Sequence, residues 1–361
     1  NLKDLNIKTQ NTIFPRATEH IKEQIEILKI LEEKGVAYKT SSGVYFDTSK
    51  LPDYGKLAHL DLAGLQEGAR VEKNLEKKSP TDFALWKFSA SRRQMEWPSP
   101  WGVGFPGWHI ECSAMSMKYL GEQFDIHTGG VDHIPVHHTN EIAQAEAATG
   151  KAPFVKYWFH SNFLLVDGEK MSKGKGNFYT LKDIMDRGME PMAARYWFLN
   201  GHYRSEMNFT WEGLKGAATA LKRLQEAVWS SGKETGRTSL SADKLVKIDG
   251  FRDKFMAAVN DDVKMPEALA VVWEVVKSNV PGRDKYDLLM EFDKVLGLGL
   301  SKLKVKNEKL KISEEIRELV DQREDLRKMG KFEEADKFRL QLEKMGFEIE
   351  DTAAGPEIRK K

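Results

Sequence analysis

The sequence has little cysteine, almost no net charge and no long apolar run. A single cysteine, Cys112, excludes an internal disulfide framework and fits a reducing compartment, so we expect a cytoplasmic protein. No run of about 18 apolar residues occurs, which excludes a membrane-spanning helix. The chain has 56 Lys and Arg against 55 Asp and Glu, so bulk basicity gives no argument for a nucleic-acid partner.

What is present is the composition of a globular chain. Its 361 residues are 40% apolar and 10% aromatic, which suits two or three domains. The spacing over 18–34 predicts an amphipathic helix capped by Thr18, and the residues from Val36 to Phe46 predict a β-hairpin. Residues 49–105, rich in proline, glycine and charge, predict an irregular insertion.

The central part of the chain predicts an α/β fold. Apolar segments alternate there with helical patterns, which is typical of a sheet covered by helices. We expect helices at 109–120 and 136–148, and strands at 124–127 and 162–166.

Beyond residue 182 the pattern is helical. It predicts a bundle, then a charged segment at 300–312, then one long helix at 313–345 whose face is mostly solvated charge. The candidate bundle helices are 212–230, 250–259, 266–278 and 284–296.

Cys112, His137 and Glu141 form the first candidate site. If 136–148 is a helix, His137 and Glu141 lie one turn apart on one face, as two ligands of one ion must. A thiolate, an imidazole and a carboxylate favour zinc over magnesium or calcium. The alternative is that Cys112 is a small core residue and that the pair His137–His138 has one packed and one exposed ring.

The second candidate is a basic loop directly after the predicted strand 162–166. Lys170 and Lys173 are separated by Met-Ser and followed by glycines, so their ammonium groups and the backbone amides can meet a triphosphate. The loop lacks the Walker pattern and is not a P-loop. A solvated surface turn is the alternative.

The third candidate follows the predicted strand 124–127. Gly129 and Gly130 let a ligand approach the backbone at a strand end, and the carboxylate of Asp132 suits ribose hydroxyls. Many strand-to-helix turns contain the same pattern without binding anything.

Together, in order and spacing, the three sites resemble the class I cysteinyl-tRNA synthetases. The similarity extends from Asn1 to Lys361. Its further matching segments are 14–21 (Phe-Pro-Arg-Ala-Thr-Glu-His-Ile), 52–57 (Pro-Asp-Tyr-Gly-Lys-Leu), 106–116 (Pro-Gly-Trp-His-Ile-Glu-Cys-Ser-Ala-Met-Ser) and 137–144 (His-His-Thr-Asn-Glu-Ile-Ala-Gln).

The resemblance implies an architecture of α/β plus α. A class I Rossmann-like catalytic domain is followed by a DALR-like helical bundle and a small anticodon-binding tail. The implied domains are 1–180 (the second half of the catalytic domain, with an insertion at about 15–105), 181–211 (stem contact, after the signature loop at 170–174), 212–300 (helical bundle) and 301–361 (anticodon binding).

The implied activity is that of a cysteine–tRNA ligase. L-cysteine is activated by ATP, with Mg²⁺, to cysteinyl-adenylate, and the cysteinyl group passes to tRNA(Cys); the family expectation is a monomer. Serine differs from cysteine by one atom, which an apolar pocket rejects poorly. One zinc ion per chain that binds the substrate thiolate would discriminate by ligand softness and acidity instead.

The same resemblance implies residue roles. Cys112, His137 and Glu141 match three of the family's four zinc ligands, and Trp108 matches the aromatic wall of its cysteine pocket.

On the ATP side, Lys173 matches the signature lysine that contacts the phosphates and stabilises charge as pyrophosphate leaves, and Lys170 would assist it. Gly129, Gly130 and Asp132 match the adenosine site.

The chain also departs from the family. The fourth zinc ligand and the HIGH motif have no counterpart, and the family ordinarily has about a hundred residues before the position of Asn1. We therefore expect the first half of the nucleotide-binding sheet to be missing, and this chain alone to bind zinc weakly and not to activate cysteine. Gly174-Lys175-Gly176-Asn177 also replaces the usual Ser-Leu-Gly-Asn.

Two other functions stay open. A cysteine–aminosugar ligase of thiol biosynthesis shares the zinc site and the signature loop but lacks a full anticodon-binding tail. A non-catalytic tRNA-binding remnant would account for the absent N-terminal block.

Overall fold

The computed structural model describes residues 1–60, 75–89, 91, 93–234, 239–300, 314–352 and 355–360. The chain divides into two compact units. One contains Asn1–Leu221 and Ala242–Lys277, and the other contains Lys222–Ser241 and Ser278–Lys361. The charged segment expected at 300–312 lies, apart from its first residue, outside the described residues.

The first unit begins with a helix packed on an antiparallel sheet. Buried side chains of the helix, among them Leu28 and Leu31, share one core with Phe46 and Trp86 of the sheet. The elements are α1 (Ile21–Glu33), β1 (Ala37–Lys39), β2 (Gly43–Phe46), β3 (Phe83–Phe88) and β4 (Gly104–Pro106), with the strands in the order β1-β2-β3-β4.

This sheet confirms the hairpin and corrects two expectations. Thr18 does not cap α1, because a short 3₁₀ turn at Ala17–Glu19 precedes the helix and His20 occupies the cap position. The part of the chain expected to be an irregular insertion contributes β3 and β4. Its apolar residues join the sheet because their side chains are buried in the same core as α1.

The next layer carries the candidate site. It consists of α2 (Trp108–Leu120), β5 (Phe124–Gly130), a π-helical turn at Ile134–His138, α3 (Thr139–Thr149) and β6 (Val155–Ser161). The strands β5 and β6 are parallel and place Gly129 beside His160. The structure confirms the predicted helices, extends the strand expected at 124–127, and adds β6, which the sequence pattern did not predict.

A small sheet and several helices complete this unit. The predicted strand 162–166 is present as β7 (Leu164–Val166), which pairs antiparallel with β8 (Glu169–Lys170) and parallel with β9 (Met207–Phe209). The helices are α4 (Leu181–Asp186), α5 (Pro191–Leu199), α6 (Trp211–Gly232), α7 (Ala242–Asn260) and α8 (Met265–Lys277), of which α6 continues into the second unit.

The second unit contains α9 (Gly282–Leu296), α10 (Glu314–Lys328), α11 (Phe332–Lys344) and a hairpin of β10 (Phe347–Thr352) and β11 (Gly355–Lys360). The single helix expected at 313–345 is wrong. Gly330 adopts φ 76°, a left-handed conformation that ends a helix, and α11 then packs back on α10. Within the described parts of the chain, no helix is long and apolar enough to cross a membrane.

Candidate active site

The site is built by two helices and two strands. Trp108, His109 and Cys112 lie on the first two turns of α2, and His137 and Glu141 lie on the π-helical turn and the start of α3. The π turn has a wider backbone than an α-helix and ends where α3 begins. It therefore determines the positions of His137 and His138 relative to α3.

Cys112, His137 and Glu141 come together as the sequence spacing predicts. Their ligand atoms all lie within 4.8 Å of one another, and His137 Nε2 is 2.9 Å from Glu141 Oε1. Glu141 is fully buried, and neither carboxylate oxygen has a hydrogen bond of acceptable geometry. A buried carboxylate is costly unless a cation or donors compensate it, so this set fits a metal ion.

His109 orients the histidine of this set. Its Nδ1 lies 3.1 Å from Nδ1 of His137, which leaves His137 Nε2 free at 2.9 Å from Glu141 Oε1. Burial, with a smaller effect of His137, lowers the pKa of His109 to about 3, so the ring is neutral at physiological pH. A hydrogen bond to the remaining ring nitrogen is how proteins fix a metal-binding imidazole.

The Cys112 thiol is held protonated while no cation is present. Burial, then the carboxylates of Glu141 and Glu111, raises its pKa to about 12. Burial also raises the pKa of Glu111. A divalent cation reverses this electrostatic balance, because it favours the thiolate.

Trp108 stands at the open side of the set. More than half of its side chain is exposed, and its ring centroid lies 4.2 Å from that of His137 and 5.6 Å from that of His133. Cys112 is one helical turn further along α2, on the same side of the helix. The indole therefore lies beside the space through which a ligand would reach Cys112.

A cluster of imidazoles that sequence reasoning missed surrounds these residues. The alternative of one packed and one exposed ring for His137–His138 is wrong, because both are buried. His138 Nδ1 lies 2.8 Å from Nε2 of His160 on β6, and its ring packs 4.7 Å from Trp158. One signal was available: six of the nine histidines fall between positions 109 and 160, namely His109, His127, His133, His137, His138 and His160.

Gly129 and Gly130 end β5, where the backbone passes close to polar side chains. A Cβ on Gly129 would lie 2.5 Å from Cε1 of His138, and one on Gly130 would lie 2.4 Å from Oδ1 of Asp132. Asp132 is exposed and its Oδ1 is 3.2 Å from Nδ1 of His133. At Gly129 a side chain would therefore displace the buried His138 ring, whereas at Gly130 it would meet only the exposed and movable Asp132 carboxylate.

Of the two signature lysines, which the sequence places on one loop, Lys170 ends strand β8 opposite Leu165 and Lys173 begins a short 3₁₀ turn beyond it. Lys170 Nζ is 6.0 Å from the ring centroid of Phe163, and Lys173 Nζ is 5.3 Å from that of Phe178. Asn177 closes the loop, because its Oδ1 accepts a hydrogen bond from the Ser172 amide at 2.8 Å. Both lysines are exposed, and their ammonium groups rest against aromatic faces.

Comparison with known proteins gives the family. The family model described as "tRNA synthetases class I (C) catalytic domain" matches residues 1–219. Cysteine–tRNA ligase 1 of Burkholderia lata is 48% identical over 352 residues, covering 96% of this chain and 72% of the relative. The cysteine–tRNA ligase of Thermococcus gammatolerans is 44% identical over 374 residues, covering 98% of this chain and 77% of the relative.

A solved structure supports the fold. Methionyl-tRNA synthetase of Mycobacterium tuberculosis, in complex with methionyl-adenylate, superposes with a TM-score of 0.54 at 16% identity, covering 82% of this chain and 74% of that one. The likeness is one of class I architecture, in agreement with the expected Rossmann-like domain plus helices. With the sequence identities above, it follows that the chain belongs to the cysteinyl-tRNA synthetase family of class I aminoacyl-tRNA synthetases.

Proposed function

We propose that this protein activates L-cysteine with ATP and transfers the cysteinyl group to tRNA(Cys). Family membership supports the reaction class. The observation that carries the substrate assignment is the fully buried Glu141 carboxylate, which has no hydrogen bond and lies beside Cys112 and His137. In a pocket for a neutral apolar side chain, a buried carboxylate would only destabilise the protein, because nothing there compensates its charge.

Cys112, His137 and Glu141 would hold one zinc ion. When bound, zinc supplies a soft Lewis acid that prefers the thiolate of cysteine to the hydroxyl of serine. His109 keeps the His137 ring in the orientation that leaves Nε2 free, and Trp108 borders the space in which the substrate side chain would lie.

ATP, carried with Mg²⁺, would bind between the end of β5 and the signature loop. Gly129, Gly130 and Asp132 would receive the adenosine, because glycines permit close approach and a carboxylate accepts hydrogen bonds from ribose hydroxyls. Lys173, assisted by Lys170, would leave its aromatic ring and bind the phosphates as charge develops on the departing pyrophosphate.

The remaining domains would serve the tRNA, with the protein acting as a monomer. The helical region from residue 181 to 211 would contact the acceptor stem, the bundle at 212–300 would support it, and residues 301–361 would reach the anticodon. Family membership supports this organisation.

The test is ATP–pyrophosphate exchange followed by aminoacylation. The product of the complete natural reading frame and the 361-residue chain are measured side by side, with cysteine and with serine, and with tRNA or an aminosugar as acceptor. From the product of the complete reading frame we expect cysteine-dependent exchange and transfer to tRNA(Cys), whereas exchange by the 361-residue chain alone would contradict the expectation that this chain does not activate cysteine. Equal exchange with serine would refute zinc selection of the thiolate, and transfer to the aminosugar alone would assign the other ligase.

A pair of variants on α2 tests the role of Cys112. Cys112→Ala should lose zinc binding with thiolate ligation and discrimination against serine together. Ser116→Ala, one turn further along the same helix, is the matched control and should keep both. Full discrimination against serine by Cys112→Ala would remove Cys112 from the proposed ligand set.

A further inference from the structure

A second group of metal-binding side chains lies beside the first and contains no cysteine. His127 on β5, His138 on the π-helical turn and Glu141 on α3 have ligand atoms that all lie within 4.8 Å of one another. His138 and Glu141 are buried and His127 is largely buried. Glu141 thus belongs to two candidate sets.

The Glu141 carboxylate has the capacity to serve both sets. Neither of its oxygens has a hydrogen bond, and His127 Nε2 approaches Oε1 at 3.7 Å while His137 Nε2 approaches it at 2.9 Å. A carboxylate has two oxygens and about four lone-pair directions. One ion in the Cys112 set therefore leaves Glu141 with unused acceptor capacity in the same buried volume.

The His138 ring is held as a metal-binding imidazole is held. Its Nδ1 pairs with His160 Nε2 at 2.8 Å, and Trp158 packs on its face. When Nδ1 donates to His160, the lone pair of His138 Nε2 is free to bind an ion. The same relation joins His109 to His137, so each set has one imidazole oriented by a further histidine.

The backbone leaves room next to this nitrogen. At Gly129 a Cβ would lie 2.9 Å from His138 Nε2, so any other residue would fill the space beside the free ring nitrogen. Two nitrogen or oxygen ligands of one tetrahedral zinc ion are about 3.3–3.5 Å apart. The observed limit of 4.8 Å means that a pair of ligand atoms has to approach by up to about 1.5 Å to close the set around an ion, a movement that two side chains can share.

We propose that His127, His138 and Glu141 form a second binding set for a divalent transition-metal ion, which shares only Glu141 with the cysteine-containing set. Two imidazoles and a carboxylate select zinc, cobalt, nickel or copper over magnesium and calcium. Because Glu141 is shared, an ion in the second set draws on a ligand of the first. Binding of ions in the two sets is therefore coupled through this carboxylate.

The experiment uses cobalt(II), with the purification tag removed, because its absorption spectrum distinguishes thiolate from histidine ligation. Cobalt is titrated into the metal-free 361-residue chain, into Cys112→Ala and into Cys112→Ala/His127→Ala. Cys112→Ala/His202→Gln is the matched control, since His202 lies outside both sets. Circular dichroism checks that each variant is folded.

The second set predicts that Cys112→Ala retains one cobalt ion per chain, with no thiolate-to-metal band, at an affinity the His202→Gln change leaves unaltered. Adding His127→Ala should weaken that binding at least tenfold. Loss of all binding in Cys112→Ala, or equal binding with and without His127, overturns the proposal. A thiolate-to-cobalt band in the unmutated chain reports on binding in the cysteine set alone. Absence of binding in one set is therefore detected independently of binding in the other.

Discussion

Nε2 of His137 lies 2.9 Å from Oε1 of Glu141, one helical turn further along the chain, and yet the carboxylate has no hydrogen bond of acceptable geometry. The pair is close enough for a shared cation and badly aligned for a direct bond. Glu141 therefore lowers the stability of the metal-free protein and raises that of the metal-bound one.

Glu141→Gln should separate these two effects. In chelator, removal of the buried charge should stabilise the protein by about 1–3 kcal/mol. On addition of zinc at 100 times the dissociation constant, the unmutated protein should gain about 2.7 kcal/mol and the variant far less. Urea unfolding with and without zinc measures both free energies.

Glu146→Gln, on the same helix, is the control for this variant. Glu146 already pairs with Lys56 at 2.6 Å and accepts the Phe154 amide at 3.0 Å, so its change should lower stability in chelator and leave the zinc-dependent gain intact. An undiminished zinc response in Glu141→Gln would show that the carboxylate does not bind the ion.

The buried histidines predict a pH dependence of the metal-free protein. Burial is the main cause that lowers the pKa of His109 and of His138 to about 3 from the ordinary value of 6.5. Between pH 6.5 and 3 the unfolded chain binds these protons and the folded chain does not. Stability is therefore complete above pH 6.5 and falls as the pH drops towards 3, by up to about 1.4 kcal/mol per pH unit for each ring.

His109→Asn should reduce the change of the unfolding free energy with pH by the contribution of one proton, about 1.4 kcal/mol per pH unit. The measurement is the free energy of urea unfolding in chelator at half-unit intervals from pH 7 to pH 4, with proton uptake on unfolding recorded by an indicator dye. The same slope in the variant and the unmutated protein would mean that His109 accepts a proton in the folded state.

The part of the site that the sequence predicts is the part in which spacing along one helix determines distance. His137 and Glu141 are four residues apart, and a helix places them together whatever surrounds it. Cys112 joins them because α2 packs on α3, and the sequence suggested it only through the suitability of a thiolate as a third ligand, not through a spacing that determines distance.

What the sequence pattern missed depends on pairing between distant segments. His160 lies on β6, whose alternation of buried and exposed side chains is weak, and it reaches His138 because β6 pairs with β5. Phe83 and Trp86 looked like part of a loop because their strand is surrounded by proline, glycine and charge. Their burial is decided by α1 and α2, which no local window contains.

Gly129→Ala should disturb the histidine cluster. The new Cβ would lie 2.5 Å from Cε1 of His138, so the ring or the end of β5 must move, at a cost of about 1–3 kcal/mol. Gly250→Ala, on α7 with open space around it, is the opposite case and should stabilise by about 0.5–1 kcal/mol. Thermal unfolding of both variants beside the unmutated protein measures the two changes in unfolding temperature. Equal changes would mean that the His138 ring can move aside without loss of stability.

Tyr54 forms a hydrogen bond to α3, the helix that carries Glu141. Its Oη donates to Oδ1 of the buried Asn140 at 2.7 Å, and burial, with a smaller effect of Asp82, raises the pKa of Tyr54 so that it remains a donor. Tyr54→Phe should cost about 1–3 kcal/mol, because Asn140 loses the partner of its oxygen.

Zinc affinity shows whether this contact also positions the site. Because Asn140 precedes Glu141 on α3, we expect Tyr54→Phe to weaken zinc binding a few-fold in competition with a chromophoric chelator, while Tyr157→Phe on the exposed face of β6 changes neither stability nor affinity. A loss of stability with unchanged zinc affinity would limit Tyr54 to holding its own segment against α3. A parallel loss of both would mean that the segment before residue 60 helps to set the geometry of the metal ligands.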